Sequence, residues 1–309
     1  MTLLLIVFAL LIPVAYDLVR LGSFRRLAIR NVVRRRNEAA LVILGSMLGT
    51  AIIVASFVVG DTIGGSIRDL ARTGLGPIDQ SIVLDDPAAA KALAAELAAD
   101  PIADTDGVLA LTGARAVAAA GQGDDRRGAP VVWLAEAEFG DIRAFGSDPG
   151  ITGFATAGST PSPGEAVVGS MLADDLGVAA GDTVTVFAYG QQLDLEVRQV
   201  LDRVGVAGWS DIFLTPGTLE ALAAASTVPD AQPPTGSVVV SNTGGVFDGA
   251  VHSDAVMAQL ETRTAASSGV EIFAEKKQLL DDAERDGAEF TELFGGIGSF
   301  SVVAGILLL

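Results

Sequence analysis

The sequence predicts an α+β domain, a mixed helix/strand core with a small β-rich subdomain, carried outside the cytoplasm on transmembrane α-helices. Three observations carry the prediction. Half of the 309 residues are apolar and the mean hydropathy is +0.48, but the long uncharged runs lie toward the ends, at 3–16, 39–60 and 295–309. Charge is segregated as well: residues 1–60 hold seven Arg and two acidic residues, whereas 61–309 hold 13 basic and 36 acidic residues. Between the apolar runs, short helical and strand-like segments alternate, the pattern of an α+β core.

Residues 1–19 are expected to span the membrane, because they lack the basic start and small-residue cleavage site of a signal peptide. Residues 20–38 form a basic cytoplasmic or interfacial segment. There Phe24, Leu27, Ile29, Val32 and Val33 interleave with arginines in a pattern compatible with a helix lying at the headgroups. The run 39–60 has 22 uncharged residues, enough for the roughly 20 that cross ~30 Å of hydrocarbon. Arg25, Arg26, Arg30, Arg34, Arg35 and Arg36 immediately precede it and serve as its topology anchor, since basic residues beside a span mark the cytoplasmic side. Residues 61–293 are therefore expected outside the cytoplasm. Within the span, Gly45 and Gly49 form a G-x-x-x-G pair suited to close helix packing.

In the outer region, Ile63, Ile67 and Leu70 recur at helical spacing over 61–73. Leu280, Ala283, Gly287 and Phe290 form an a/d seam over 276–293, leading into the terminal apolar stretch. These two seams either pair as a stalk or pack separately on the domain core. Strands are expected at 81–84, 131–134, 183–188, 193–200, 212–214, 237–241 and 270–273, the third and fourth joined as a hairpin around Gly190. Helices are expected at 87–99, 170–176, 216–225 and 253–264. The β-rich subdomain falls at about 160–215, after the Pro/Ser loop at 159–164. Residues 294–309 are expected as the start of a further transmembrane helix, cut off at Leu309.

No enzyme signature is visible, and no cofactor or metal site is expected. The single His252 has no second ligand at helical spacing, whereas zinc takes three or four ligands. The absence of Cys excludes thiolate metal sites and thiol nucleophiles. The segment 60–65 (GDTIGG) lacks the Lys and Ser/Thr of a P-loop. Paired aspartates, as at 85/86 and 174/175, lack calcium-loop spacing. Nucleic acid is not an expected partner, because the strongly acidic outer region would repel a polyanion.

Residues 27–61 (LAIRNVVRRRNEAALVILGSMLGTAIIVASFVVGD) resemble the opening helix of FtsX-like and MacB-like ABC transporter permeases. Residues 165–186 (EAVVGSMLADDLGVAAGDTVTV) resemble a block of that family's MacB-like periplasmic core domain, and 290–309 the approach to its next membrane helix. The resemblance implies a multi-pass cell-membrane permease that couples ATP hydrolysis by a separate cytoplasmic ATPase subunit to the outer domain by mechanotransmission. It further implies a homo- or heterodimer of permeases, an extracytoplasmic adaptor or substrate protein, and export or extraction of a substrate that the residues do not identify. The alternative within the family is a non-transporting FtsX-type scaffold that regulates an outer partner such as a cell-wall hydrolase.

Overall fold

The computed structural model describes residues 30, 34–265 and 267–307; the span expected at 1–19, with Arg25 and Arg26, lies outside the described residues. The chain divides into two compact units, Gly65–Glu284 and Met1–Gly64 with Arg285–Leu309.

The larger unit is a mixed α/β fold with a β-rich core. Strand β1 (Gln80–Leu84) leads to helix α2 (Pro87–Ala99), numbered after the long helix α1 (Arg36–Leu75). Asp86 starts α2 by accepting the Ala88 N–H at 2.9 Å, with Pro87 in the first turn, a combination that satisfies one orphan donor and pre-sets the backbone. Strand β2 (Thr105–Ala120) follows, then β3 (Arg127–Glu136), a one-turn α3 (Phe139–Arg143), β4 (Glu165–Gly169) and α4 (Ser170–Leu176). The hairpin β5 (Thr183–Ala188) and β6 (Gln191–Leu201) precedes β7 (Ile212–Leu214), α5 (Thr218–Ala224) and β8 (Thr235–Asn242). Helices α6 (Gly245–Asp248) and α7 (Ser253–Thr264), strand β9 (Val270–Phe273) and the long α8 (Glu275–Leu307) complete the order.

One edge of β2 pairs with β3, and its other edge pairs first with β8 and then, at Val117–Ala119, with β5. Because β3 pairs with β7, β7 with β4, β4 with β6 and β6 with β5, the ladder returns to β2 and closes a six-stranded barrel. From the first half of β2 the sheet extends through β8 and β1 to β9. The barrel draws β2 and β3 from upstream of residue 160, where the β-rich part was expected to begin.

Six strands enclose a narrow lumen, and side-chain size must follow. β2 therefore turns Ala114, Ala116, Ala118 and Ala120 inward, into one buried cluster with Val132, Val184, Leu195 and Ile212 and with Leu172 and Leu219 of the flanking helices. Outside the barrel Phe139, Phe154 and Phe213 meet edge to face, Phe154 lying 4.7 and 4.9 Å from the other two rings. All three are buried. Phe154→Ala is expected to cost about 3–5 kcal/mol, read as a lowered urea midpoint; a loss under about 1 kcal/mol would show that the triad is not a packing centre.

A second core lies between the extended sheet and helices α2 and α7, built from Ile82, Val238, Val240, Leu97, Val256 and Leu260. Helix α2 approaches β8 so closely that a Cβ at Gly236 would stand 2.5 Å from that of Ala90. Glycine is required there. Near the barrel end, the buried Glu136 of β3 caps α5 by accepting the Gly217 and Leu219 N–H groups; burial raises its carboxyl pKa, and these two bonds oppose the shift.

Helix α1 unites the expected membrane span and the expected stalk helix at 61–73 without a break, and α8 likewise unites the stretch 276–293 with the apolar end. Gly76, at φ +54, and Pro77 terminate α1, since the left-handed glycine and the donorless proline cannot continue a helix.

Candidate functional site

The ends of both long helices converge in the larger unit. β1 follows α1 directly, β9 precedes α8 directly, and the two strands are antiparallel neighbours, Ser81 opposite Phe273. Antiparallel pairing sets the start of β1 beside the end of β9, so the roots of α1 and α8 are side by side. At that junction Lys276 Nζ lies 2.8 Å from Asp79 Oδ1, and both side chains are 0% exposed. The Lys276 N–H also donates to the Asp79 carbonyl at 3.3 Å, and Ser81 Oγ donates to Glu275 Oε1 at 2.6 Å.

The surrounding groups fix the carboxylate. Asp79 N–H joins the ladder through the Val240 carbonyl, and Asp79 Oδ2 accepts the Asn242 N–H at 2.8 Å. Asn242 in turn donates its side-chain amide to the Gly249 carbonyl. A Cβ at Gly249 would come within 2.8 Å of Asp79 Oδ2. Burial raises the pKa of Asp79, against the lowering effect of Lys276 and of the Asn242 N–H, while the Asp106 carboxylate adds to the rise.

The buried side-chain polar atoms left without a hydrogen bond among the described residues include Asp79 Oδ1, Lys276 Nζ, Gln80 Oε1, Asn242 Oδ1 and Asp106 Oδ1. The Lys276–Asp79 contact is thus a close, fully buried charge pair. A buried pair of this kind is held by mutual need, because either charge alone would be stranded in a low-dielectric interior. It ties the roots of the two long helices together as a clamp.

Neither Asp79 nor Lys276 was among the site residues expected from sequence. One signal was available, since Lys276 is one of only three Lys, against 17 Arg. Ile63, Ile67 and Leu70 fall within α1 and Phe290 within α8, but their side chains lie outside the described residues. Leu280 is half-buried, and Ala283 is 2% exposed amid the exposed Asp281, Asp282 and Glu284. In the smaller unit a Cβ at Gly287 would stand 3.9 Å from the Gly60 carbonyl oxygen, so α8 and α1 come close at these two glycines. Gly49 is buried, whereas no described atom lies within 4 Å of a Cβ at Gly45. Arg30, Arg34, Arg35 and Arg36 are exposed.

His252 is partly exposed, its Nδ1 3.8 Å from Asp104 Oδ2, and no cluster of three or more metal-ligating side chains occurs among the described residues. One apolar window in the described residues, Ile43–Gly60 of α1, is long enough to cross a membrane, with a mean hydropathy of 2.1 and 13% of it buried.

No known protein family matches the chain, and no curated protein matches it. Among solved structures it is similar to a domain of a candidate permease protein from Porphyromonas gingivalis, at 10% identity over 64% of this chain and 88% of that one, with a TM-score of 0.33. At that level the likeness transfers neither fold nor role.

Proposed function

We propose that this chain is the permease component of an ABC-type machine, with the barrel-bearing unit outside the cytoplasm and ATP hydrolysis supplied by a separate subunit. The observation that carries the reading is the build of α1. Its Ile43–Gly60 window leaves Leu44, Met47, Leu48, Val54, Phe57 and Val58 each more than half exposed. A core helix of a soluble protein buries such residues; a helix facing lipid has no need to. The other end of the same helix leads into the Asp79–Lys276 clamp, which also holds the start of α8. Displacement of either helix would thus be delivered to the same sheet, which is what mechanotransmission requires of a stiff element. The sequence resemblance supports the same class, with a cell-membrane location and a dimer of permeases, and it leaves the substrate open.

Three measurements test this. A phosphatase reporter fused after Gly150 is expected to be active only outside the cytoplasm, and mild-detergent purification from native membranes is expected to co-purify an ATPase subunit. Phe290→Asp is expected to preserve insertion and ATPase turnover while failing to complement a strain lacking the gene. A cytosolic reporter would overturn the topology, and full complementation by Phe290→Asp would discredit the transmitting helix.

A further inference from the structure

A polar groove of about 1170 Å³ lies on the outer face of the barrel, somewhat larger than the ~300–1,000 Å³ of common ligand sites. Strand periodicity builds its floor: Val184 and Val186 point into the lumen, so Thr183, Thr185 and Phe187 face outward into the groove. The β2–β3 turn, including Arg126 and Arg127, forms one wall, and the end of α4 forms the other.

The two arginines are placed with care. The Arg126 guanidinium lies 5.9 Å over the Phe187 ring, a cation–π arrangement that fixes the group without using its donors. Arg127 packs on Gly177, where a Cβ would stand 2.7 Å from Nη1. Gly177 has φ +68, so glycine there serves both the helix cap and the guanidinium.

Neither guanidinium donates a hydrogen bond or joins an ion pair among the described residues, in a chain with 38 acidic residues against 20 basic ones. Arg143, Arg198, Arg203 and Arg263 all donate to a carbonyl or carboxylate oxygen. The groove's lining also carries Asp125, Asp182 and Asp194; Asp182 Oδ2 accepts the Ala179 N–H, and Asp194 Oδ1 accepts from Thr185 and Gln192.

We infer that this groove binds an oxyanion-bearing ligand, a carboxylate or a phosphate, through the free donors of Arg126 and Arg127. The planar guanidinium fork matches both groups. The acidic surround opposes anions at long range, so selection rests on short-range contact, and a bare anion is expected to bind only in the millimolar range. This inference does not depend on the membrane reading.

The test is calorimetric titration of the full chain in detergent micelles at low ionic strength, with inorganic phosphate and citrate as separate probes. At least one probe is expected to bind, its identity assigning the group. Arg126→Gln with Arg127→Gln is expected to weaken that binding at least about tenfold while leaving the unfolding midpoint unchanged. Binding of neither probe, or equal binding by the double variant, overturns the inference. Gly177→Ala, which displaces only Arg127, is expected to weaken binding by a smaller factor, and unaltered binding by that variant would also count against the site.

Discussion

Lys276→Met is expected to lower the stability of the sheet unit by about 3–5 kcal/mol at neutral pH, because it strands the Asp79 charge in the interior. Asp79 is 0% exposed and keeps only the Asn242 N–H as a strong partner once the ammonium is gone. Adding Asp79→Asn is expected to recover much of the loss, since a neutral pair of similar shape leaves no buried charge. The pH dependence has a definite sign. Burial raises the Asp79 pKa above its ordinary 3.8, so the folded chain holds this proton more tightly than the unfolded chain. Linkage then makes stability fall as pH rises from the unfolded value through the folded one. Lys276 is the chief group opposing that rise; without it the folded value moves higher and the window widens upward. The deficit of Lys276→Met is therefore expected to be largest near neutrality and to shrink on acidification. Urea unfolding followed through Trp133 and Trp209 at several pH values measures it. A deficit below about 1 kcal/mol, or one that grows as pH falls, would refute the clamp.

Elements with strong local signals were legible in the sequence. The helix at Pro87–Ala99 is announced by its Asp-Pro start, and the β5–β6 hairpin by Gly190, whose φ is +74 beside Tyr189 at +55. The longest strand was not among the expected ones. β2 reads TDGVLALTGARAVAAA, a composition with helical propensity that gives little β signal. Its alanines are a property of the barrel, whose narrow lumen admits small side chains only where larger ones face them. That constraint is tertiary, and no local window contains it.

The clamp was hidden for a related reason. Ser81 and Glu275 bond across 194 residues of sequence, and Asp79 and Lys276 become neighbours only because β1 and β9 pair. The sequence marks the change from apolar to charged residues at Asp61, and the backbone continues as helix to Leu75. Nothing before Gly76–Pro77 breaks α1, so the change from apolar to charged residues occurs within one continuous helix.

That continuity sets up the second large effect. Leu48→Arg combined with Val54→Arg is expected to abolish export of the domain, reducing the activity of a phosphatase fused after Gly150 by more than tenfold. Ile43, Leu44, Leu48, Ile52, Ile53, Val54, Phe57, Val58 and Val59 together favour insertion by roughly 3–5 kcal/mol on a biological insertion scale, and each central Arg opposes it by about 2.5–3.5 kcal/mol. Two arginines therefore outweigh the whole apolar window. Leu48→Ala with Val54→Ala, which removes apolar surface without adding charge, is expected to retain export. The alternative of a soluble protein makes the opposite forecast. Leu48 and Val54 are 63% and 55% exposed, so arginine at these positions would cost a water-soluble fold nothing and would improve its solubility. An arginine variant that exports its domain as well as the parent would remove α1 from the membrane, and the transmitting role of the helix with it.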